Sequence, residues 1–309
     1  MASNKESDPV RYLDRESGQV IEEAIYGERW LRWTYGSPLG RLTNALLLRR
    51  AFFSVLFGAW MNSRASAGRI PAFIESFGID MRQFEAPASG KWRSFNEFFA
   101  RALRPGARPV CEGADAIALP ADGRHSAWAG GTDLSCLCVK GRPFTVAELL
   151  ADAELAQRFA GGALVVSRLC PTDYHRFHFP ADGVPGAAWR IRGHLDSVSP
   201  IALAAGVRSL CANKRELTLL ETPHCGCVAL VEVGAACVGR IEQSYKPGKA
   251  VHMGDEKGRF LFGGSTVITL FEPGRVTLAE DLTAATAKGM ETYAKMGTLL
   301  GQSKGPQRA

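Results

Sequence analysis

The sequence lacks a long apolar run. Its most apolar stretch, from Ala51 to Met61, has eleven residues, whereas a membrane-spanning helix needs roughly 20. We therefore expect no transmembrane helix. Arg41, Arg49 and Arg50 precede this stretch, and an apolar helix beside arginines is typical of a segment that lies in a membrane interface. An ordinary core helix would give the same pattern, so the residues alone leave both interpretations open.

Cysteine pairs with the usual spacing of zinc sites are also missing. None of the eight cysteines belongs to a CxxC pair, and the two close pairs, Cys136/Cys138 and Cys225/Cys227, are separated by one residue each. The first nine residues are polar and lack the apolar segment of a secretory signal. We therefore expect reduced cysteines, most of them small buried residues, and no metal site.

No internal repeat and no low-complexity segment occurs in the 309 residues. Hydrophobic residues make up 46% and charged residues 22%, which excludes a disordered chain and predicts one large globular domain or two small ones. The net charge of +6 suits an anionic partner, such as nucleic acid or an acidic membrane surface. Many soluble proteins carry the same excess without such a partner.

Helical patterns fill most of the N-terminal region, residues 1–105. We expect residues 1–20 to be loose, because they are polar. Residues 20–81 show apolar side chains at helical spacing. A second helix is predicted from Ser94, where an S-x-x-E pattern favours a helix start, to Pro105, which ends it.

The remaining chain, residues 106–309, reads as a β-rich region. Short runs of strand-forming residues alternate with glycine and proline, for example at 163–169, 228–233, 236–241 and 266–271. A last helix is predicted over 284–300. The fold class is therefore α+β, with helices first and a largely antiparallel β core after them.

Two glycines precede a serine where one of these strands begins, in Gly263-Gly264-Ser265-Thr266. Glycine permits backbone conformations that are closed to other residues, including strained ones at functional sites. A β-bulge or a tight turn would need the same glycines. Taken alone, the motif is weak.

Two histidines, His175 and His178, lie three residues apart in a segment rich in aromatic residues and flanked by prolines. Histidine carries protons near neutral pH, which suits acid–base catalysis. The pair could also bind zinc if two further ligands, such as Cys170, lay nearby, or it could be purely structural. Asp122, in a Pro-Ala-Asp-Gly turn, could orient a histidine, so Ser265, His178 and Asp122 form a candidate triad.

In their order along the chain, these segments resemble the phosphatidylserine decarboxylase family from about residue 12 to residue 271. The resemblance rests on seven blocks: residues 69–81 (RIPAFIESFGIDM), 94–109 (SFNEFFARALRPGARP), 120–123 (PADG), 139–150 (VKGRPFTVAELL), 173–183 (DYHRFHFPADG), 228–241 (VALVEVGAACVGRI) and 258–271 (GRFLFGGSTVITLF).

The resemblance implies a proenzyme that cleaves itself between Gly264 and Ser265. Gly263 stands where the family more often has leucine. Ser265 would attack the Gly264 carbonyl, with His178 as the base and Asp122 as the group that orients it. Elimination, followed by hydration and loss of ammonia, would turn residue 265 into a pyruvoyl group, and the products would be chains 1–264 and 265–309, which form a heterodimer.

The implied reaction is the decarboxylation of phosphatidylserine to phosphatidylethanolamine and CO2, through a Schiff base between the lipid amine and the pyruvoyl ketone. His175 would return a proton to the substrate carbon. No external cofactor and no nucleic acid would be needed. Residues 1–105 would include the membrane-docking surface, at about residues 40–61, on the cytoplasmic face of the cell membrane. The rival functions are a zinc hydrolase that uses His175 and His178, a non-catalytic lipid-binding homologue, and a pyruvoyl decarboxylase of a soluble amino acid.

Overall fold

The computed structural model describes residues 9–48, 51–131, 137–139, 142–235, 240–263 and 265–305. Four residues singled out above, Arg49, Arg50, Cys136 and Gly264, lie outside these ranges, as does most of the strand predicted at 236–241.

The helices lie mainly in the first third of the chain. They are α1 (Glu28–Gly36), α2 (Pro38–Thr43), α3 (Ala51–Met61), α4 (Ile70–Phe77), α5 (Phe95–Phe99), α6 (Val146–Leu150), α7 (Ala153–Arg158), α8 (Pro200–Ala204), α9 (Ser209–Ala212) and α10 (Glu280–Ala287), with a π-helix at Asn44–Leu48 and 3-10 turns at Arg64–Arg69 and Met81–Gln83. None of the helices in the described ranges is both long and apolar enough to cross a membrane.

The strands fill the rest. They are β1 (Arg11–Asp14), β2 (Val20–Glu22), β3 (Ala116–Ala118), β4 (Gly123–Trp128), β5 (Leu137–Val139), β6 (Arg142–Phe144), β7 (Leu164–Leu169), β8 (Arg176–His178), β9 (Val184–Pro185), β10 (Trp189–Ile191), β11 (Arg215–Thr222), β12 (Gly226–Val233), β13 (Ile241–Gln243), β14 (Glu256–Phe260), β15 (Ser265–Phe271), β16 (Val276–Leu278), β17 (Glu291–Ala294) and β18 (Leu299–Ser303).

One large sheet organises the molecule. Its strand order is β10-β11-β12-β15-β7-β4-β17-β1-β2, with β9 beside β11, and every pair is antiparallel except β1 with β17. Smaller sheets are β13-β14-β8, β16-β18-β3 and β5-β6. The predicted α+β class, with helices first and a largely antiparallel core, is confirmed.

The start of α5 follows the sequence prediction, and its end does not. The Ser94 hydroxyl accepts a hydrogen bond from the Glu97 amide at 3.2 Å, so the predicted cap is present. The helix ends after Phe99 rather than at Pro105, because the chain turns extended and Leu103 pairs with Phe84 in a β-bridge.

Both ends of the chain join the main sheet, which corrects two predictions. Residues 1–20 were expected to be loose. Residues 1–8 lie outside the described ranges, but β1, in the described part, pairs in parallel with β17. The helix predicted over 284–300 stops at Ala287, since Gly289 adopts φ +73° and closes it. The chain then returns as β17 and β18. Strand pairing between opposite ends of a chain leaves no local signal in either segment.

An aromatic cluster attaches the N-terminal helices to the core. Phe73, Phe95, Phe98 and Phe99 are buried together with Phe262, and the rings of Phe95 and Phe262 lie 5.0 Å apart, edge to face. Because Phe262 comes three residues before Ser265, the helical region packs directly against the segment that leads to the predicted cleavage site.

Candidate active site

Ser265 is the first residue of β15, in the middle of the main sheet. It is fully buried and pairs with Leu169 at the end of β7. Gly263, two residues earlier, has φ +137°, a conformation that favours glycine. The predicted strand start is therefore confirmed. Ser265 thus lies where the hydrogen-bonded pairing of β15 with β7 begins, two residues after a glycine in a conformation that other residues rarely adopt.

His175 is the histidine that meets Ser265. Its Nδ1 lies 3.2 Å from Ser265 Oγ, and its Nε2 lies 2.8 Å from the carbonyl oxygen of Cys170. A carbonyl oxygen only accepts, so Nε2 carries the proton and Nδ1 accepts the hydrogen bond from the serine hydroxyl. The imidazole also stacks on Phe99 at 3.8 Å between ring centroids. The ring is thus held on three sides.

Burial keeps this imidazole neutral. It lowers the pKa of His175 to about 3, the Cys170 carbonyl opposes the shift, and the positive charge of Arg101 adds to it. Protonating such a ring costs about 5 kcal/mol more than protonating an unperturbed histidine. His175 is well placed to orient the hydroxyl and is a weak base.

His178 lies on β8 and makes a different pair of hydrogen bonds. Its Nδ1 donates to the carbonyl of Gly254 at 2.8 Å, which leaves Nε2 to accept from the Tyr174 hydroxyl at 3.1 Å. Burial lowers the pKa of His178, while the Gly254 carbonyl and the charges of Glu256 and Asp122 oppose that effect. Its Nε2 is therefore an unprotonated nitrogen that already receives a hydroxyl proton in a hydrogen bond.

Asp122 lies immediately before β4, buried beside Arg108. The Arg108 guanidinium contacts both carboxylate oxygens, at 2.6 to 3.1 Å, and the Met296 amide donates to Oδ1 at 2.8 Å. The next residue must be small, because a Cβ on Gly123 would lie 2.6 Å from the carbonyl oxygen of Arg168. This close approach gives the Asp-Gly pair a packing reason at the point where β4 meets β7.

Ser265, His178 and Asp122 do not form one hydrogen-bonded chain in the described residues. The serine contacts His175, while His178 contacts Tyr174 and Gly254. Asp122 acts on His178 through its charge and not through a hydrogen bond. The structure therefore brings all four predicted residues into one buried region but pairs them differently from the candidate triad.

The loop before His175 is fixed by a buried charge network that sequence reasoning missed. Asp173 accepts a hydrogen bond from the Cys170 amide at 2.6 Å and forms an ion pair with Arg124. Arg168 forms ion pairs of 2.7 Å with both Glu23 and Glu291. Asp173 at least falls in the block that carries the two histidines. Glu23 lies near the N-terminus, far from this block in the sequence, and no sequence pattern pointed to it.

The structure places no set of zinc ligands around the histidine pair in the described residues. No group of three or more metal-binding side chains occurs in the ranges that the structure covers. The two imidazoles donate to different carbonyls, those of Cys170 and Gly254. Cys170, the suggested third ligand, directs its thiol to Glu23 and Arg168 instead.

An apolar cavity of about 430 Å³ lies beside two segments close to Ser265: the end of β7, with which Ser265 pairs, and the residues just before β15. Leu169 and Cys170 line it from the end of β7, and Phe262 and Gly263 line it from the approach to β15. The rest of its wall is largely aromatic and aliphatic, from Tyr26, Trp30, Leu31, Tyr35, Phe57 and Val198. Such a cavity suits a ligand with a large apolar part.

These features define a class of site: a buried serine at a strand edge, behind glycine and beside neutral histidines, which is suited to chemistry on the protein's own backbone. Residues 95–302 match the sequence model of the family described as phosphatidylserine decarboxylase. This chain belongs to the phosphatidylserine decarboxylase family.

Curated relatives cover nearly the whole chain. A protein of Chlamydia trachomatis is 39% identical over 94% of this chain and 96% of its own length. Proteins of Clostridium novyi and Fusobacterium nucleatum are 40% and 38% identical, over 94% and 96% of this chain and 99% and 98% of their own lengths. All three are named phosphatidylserine decarboxylase proenzyme.

Proposed function

We propose that this chain is a proenzyme that cleaves its own backbone between Gly264 and Ser265 and then decarboxylates phosphatidylserine to phosphatidylethanolamine and CO2. Family membership supports the reaction and the self-derived pyruvoyl group. The single observation that carries the proposal for this chain is the 3.2 Å contact between Ser265 Oγ and His175 Nδ1 at the first residue of β15.

The surroundings of residue 265 fit a pyruvoyl group. Thr266 to Leu270 keep their ladder pairing with β7 whatever the chemistry of residue 265, so the strand would hold the new N-terminus in place. The apolar cavity gives access from Phe262 and Gly263. When present, the ketone supplies an electron sink for the pair left by the departing CO2.

Cleavage begins with the attack of Ser265 Oγ on the carbonyl carbon of Gly264, which forms an ester and breaks the peptide bond. The nitrogen of residue 265 leaves as an amine and takes up the proton that was removed from the hydroxyl. His175 orients the hydroxyl through its Nδ1. His178 removes the proton, because its Nε2 is unprotonated and the charges of Glu256 and Asp122 favour the protonated ring. This step requires the Ser265 hydroxyl to turn its proton from His175 Nδ1 to His178 Nε2, where it replaces the Tyr174 hydroxyl. The charge of Asp122 stabilises the imidazolium that results.

His175 then serves decarboxylation, since it stays beside residue 265 after cleavage. Its task is to return a proton to the substrate carbon, which requires a protonated ring. Nearby negative charge raises a histidine pKa, and a phosphatidylserine head group brings a carboxylate and a phosphate. A bound substrate would thus offset part of the free-energy cost of protonating the buried His175 ring.

The lipid part of the substrate is assigned to the apolar cavity, and the membrane to the surface beside it. Large apolar side chains are exposed along one stretch of the helical region: Leu39, Leu42, Leu46, Phe52, Leu56 and Trp60. Exposed aromatic and aliphatic side chains on short helices are typical of interfacial binding. We assign the protein to the membrane periphery, on the cytoplasmic face, with chains 1–264 and 265–309 as a heterodimer.

Release of CO2 from carboxyl-labelled substrates tests this function. The protein should release label from phosphatidylserine in mixed micelles and not from free serine, and the Ser265→Ala variant should release none. Label from free serine alone would assign a soluble amino acid as the substrate. Lipid binding without CO2 release by the cleaved protein would make the chain a non-catalytic lipid-binding homologue.

A further inference from the structure

A second cavity, of about 750 Å³, lies beside the segment that leads to Ser265. Leu261 lines this cavity, whereas the next residue, Phe262, lines the apolar one. Its other walls come from the turn after α3, from the residues around α5 and from the small sheet β13-β14-β8. The cavity is therefore separate from the substrate site and touches the same catalytic segment.

Positive charge dominates its lining. Six arginines line it, namely Arg64, Arg93, Arg101, Arg176, Arg240 and Arg259. Only three acidic residues do so, Glu85, Glu97 and Glu242. Glu242 is shared between Arg240 and Arg259, at 2.9 and 2.7 Å. Arg176 pairs with Glu256, outside the lining, at 2.7 Å. The arginines still outnumber these carboxylates, and such an excess favours an anion.

Two of the arginines have no carboxylate partner in the described residues. Arg64 is exposed at the rim. Arg101 is 1% exposed, and its Nε has no hydrogen-bond partner there. Its guanidinium lies over the rings of Phe84 and Phe98, at 4.2 and 4.8 Å to the centroids, so its positive charge is held in the cavity wall without a carboxylate partner among the described residues. The other guanidinium nitrogens of Arg101 donate to the carbonyls of Phe98, Thr172 and Asp173.

The cavity also borders the exposed apolar surface. Arg64 comes three residues after Met61, the last residue of α3, and Phe52, Leu56 and Trp60 of that helix are 71%, 54% and 37% exposed. A basic cavity next to an apolar helix face places arginines where phospholipid head groups lie when the helix rests on a bilayer. A site that served only free phosphate would not need to lie beside an exposed apolar helix.

We propose that this second cavity binds the phosphate-bearing head group of an anionic phospholipid that is not the reacting substrate. The inference rests on the proposed function for the orientation of the protein on the membrane. Because Arg101 also donates to the Thr172 and Asp173 carbonyls, a bound head group connects to the loop that holds His175. The bound lipid would help to hold the enzyme at the surface where its substrate lies.

Calorimetric titration of the full chain with soluble short-chain lipids tests the proposal. The probes are monomeric dihexanoylphosphatidylglycerol, dihexanoylphosphatidylcholine and inorganic phosphate. The cavity variant is Arg64→Gln with Arg240→Gln, which leaves the Arg259–Glu242 pair in place. The matched control, Arg11→Gln with Arg192→Gln, removes two exposed arginines outside the cavity.

We expect phosphatidylglycerol to bind at least about tenfold more weakly to the cavity variant than to the wild type, with the control within about twofold. Phosphatidylcholine should bind more weakly than phosphatidylglycerol. Equal affinity in the cavity variant, or no binding by the wild type, would overturn the proposal. Inorganic phosphate that binds as tightly as the lipid, with the same arginine dependence, would assign the site to free phosphate. Since titration needs no turnover, failure of the decarboxylase assay would leave this result intact.

Discussion

At the scale of single residues, the two histidines of the site differ in what they contact and in how they could act as a base. His175 contacts the Ser265 hydroxyl but is made a weak base by burial. His178 lies in the same region with its Nε2 lone pair directed at the Tyr174 hydroxyl. In the proposed function, residue 265 takes part in both backbone cleavage and decarboxylation, and each histidine would serve one of the two reactions.

Substitution of each histidine separates these tasks. We expect His178→Ala and Asp122→Ala to stay uncleaved, because the serine hydroxyl loses its base or the charge that supports it. His175→Ala should cleave but decarboxylate about 10²- to 10⁴-fold more slowly, the usual range for a lost proton donor. Gel electrophoresis reports cleavage, and CO2 release reports turnover.

The exposed His252 supplies the control, since its side chain is 81% exposed. His252→Ala should behave as the wild type in both assays. If His175→Ala remained uncleaved while His178→Ala cleaved normally, the two assignments would be reversed.

Buried neutral histidines also predict how stability depends on pH. Burial lowers the pKa of His175 to about 3 and that of His125 to about 4. Between these values and the unfolded value near 6.5, the unfolded chain binds more protons. Stability should therefore fall as pH drops below about 6.5, by roughly 2 kcal/mol per histidine at pH 5.

Urea unfolding of the uncleaved Ser265→Ala chain at pH 7.5 and pH 5 measures this dependence. His125→Gln or His175→Gln should reduce the pH dependence, and His252→Gln should not. An unfolding free energy that rises on acidification would contradict the burial of neutral rings.

At the scale of elements, α3 is the segment whose role the sequence left open. The structure places its side chains in two environments. Phe57 contacts Phe262 at 5.8 Å between ring centroids and lines the apolar cavity, whereas Phe52 and Leu56 are exposed. The helix thus serves the core with one side and leaves apolar groups in solvent on another.

The exposed side of α3 predicts the effect of surface substitutions. Phe52→Ser with Leu56→Ser should reduce flotation of the protein with anionic liposomes several-fold, because apolar area at the interface is lost. Phe57 is left unchanged because it belongs to the core. Val184→Ser, which alters an apolar side chain 44% exposed on β9, is the control.

Circular dichroism checks that the double variant is folded. Undiminished flotation of the folded variant would remove α3 from the membrane-docking surface.

At the scale of the whole molecule, β15 connects the two predicted products. It lies between β12 and β7, and its partners all come from residues before 264. We therefore expect chains 1–264 and 265–309 to elute together in gel filtration after cleavage and to separate only in denaturant. Separation under native conditions would contradict this pairing.

Sequence patterns predicted the α+β class, the helix start at Ser94 and the strand that begins at Ser265, because capping and strand signals are local. They missed β1, β17 and the Glu23–Arg168 pair, because these contacts join the two ends of the chain. The motifs singled out four residues that the fold then places in one buried region. Only the fold could show that Ser265 meets His175 in the uncleaved chain.

Intact-mass spectrometry of the purified protein decides whether the chain cleaves itself before Ser265. Self-cleavage predicts two chains, residues 1–264 and residues 265–309, with a pyruvoyl group at the N-terminus of the second. The Ser265→Ala variant should give one uncut chain. Active wild-type enzyme that remained a single uncut chain, with serine at position 265, would contradict the account.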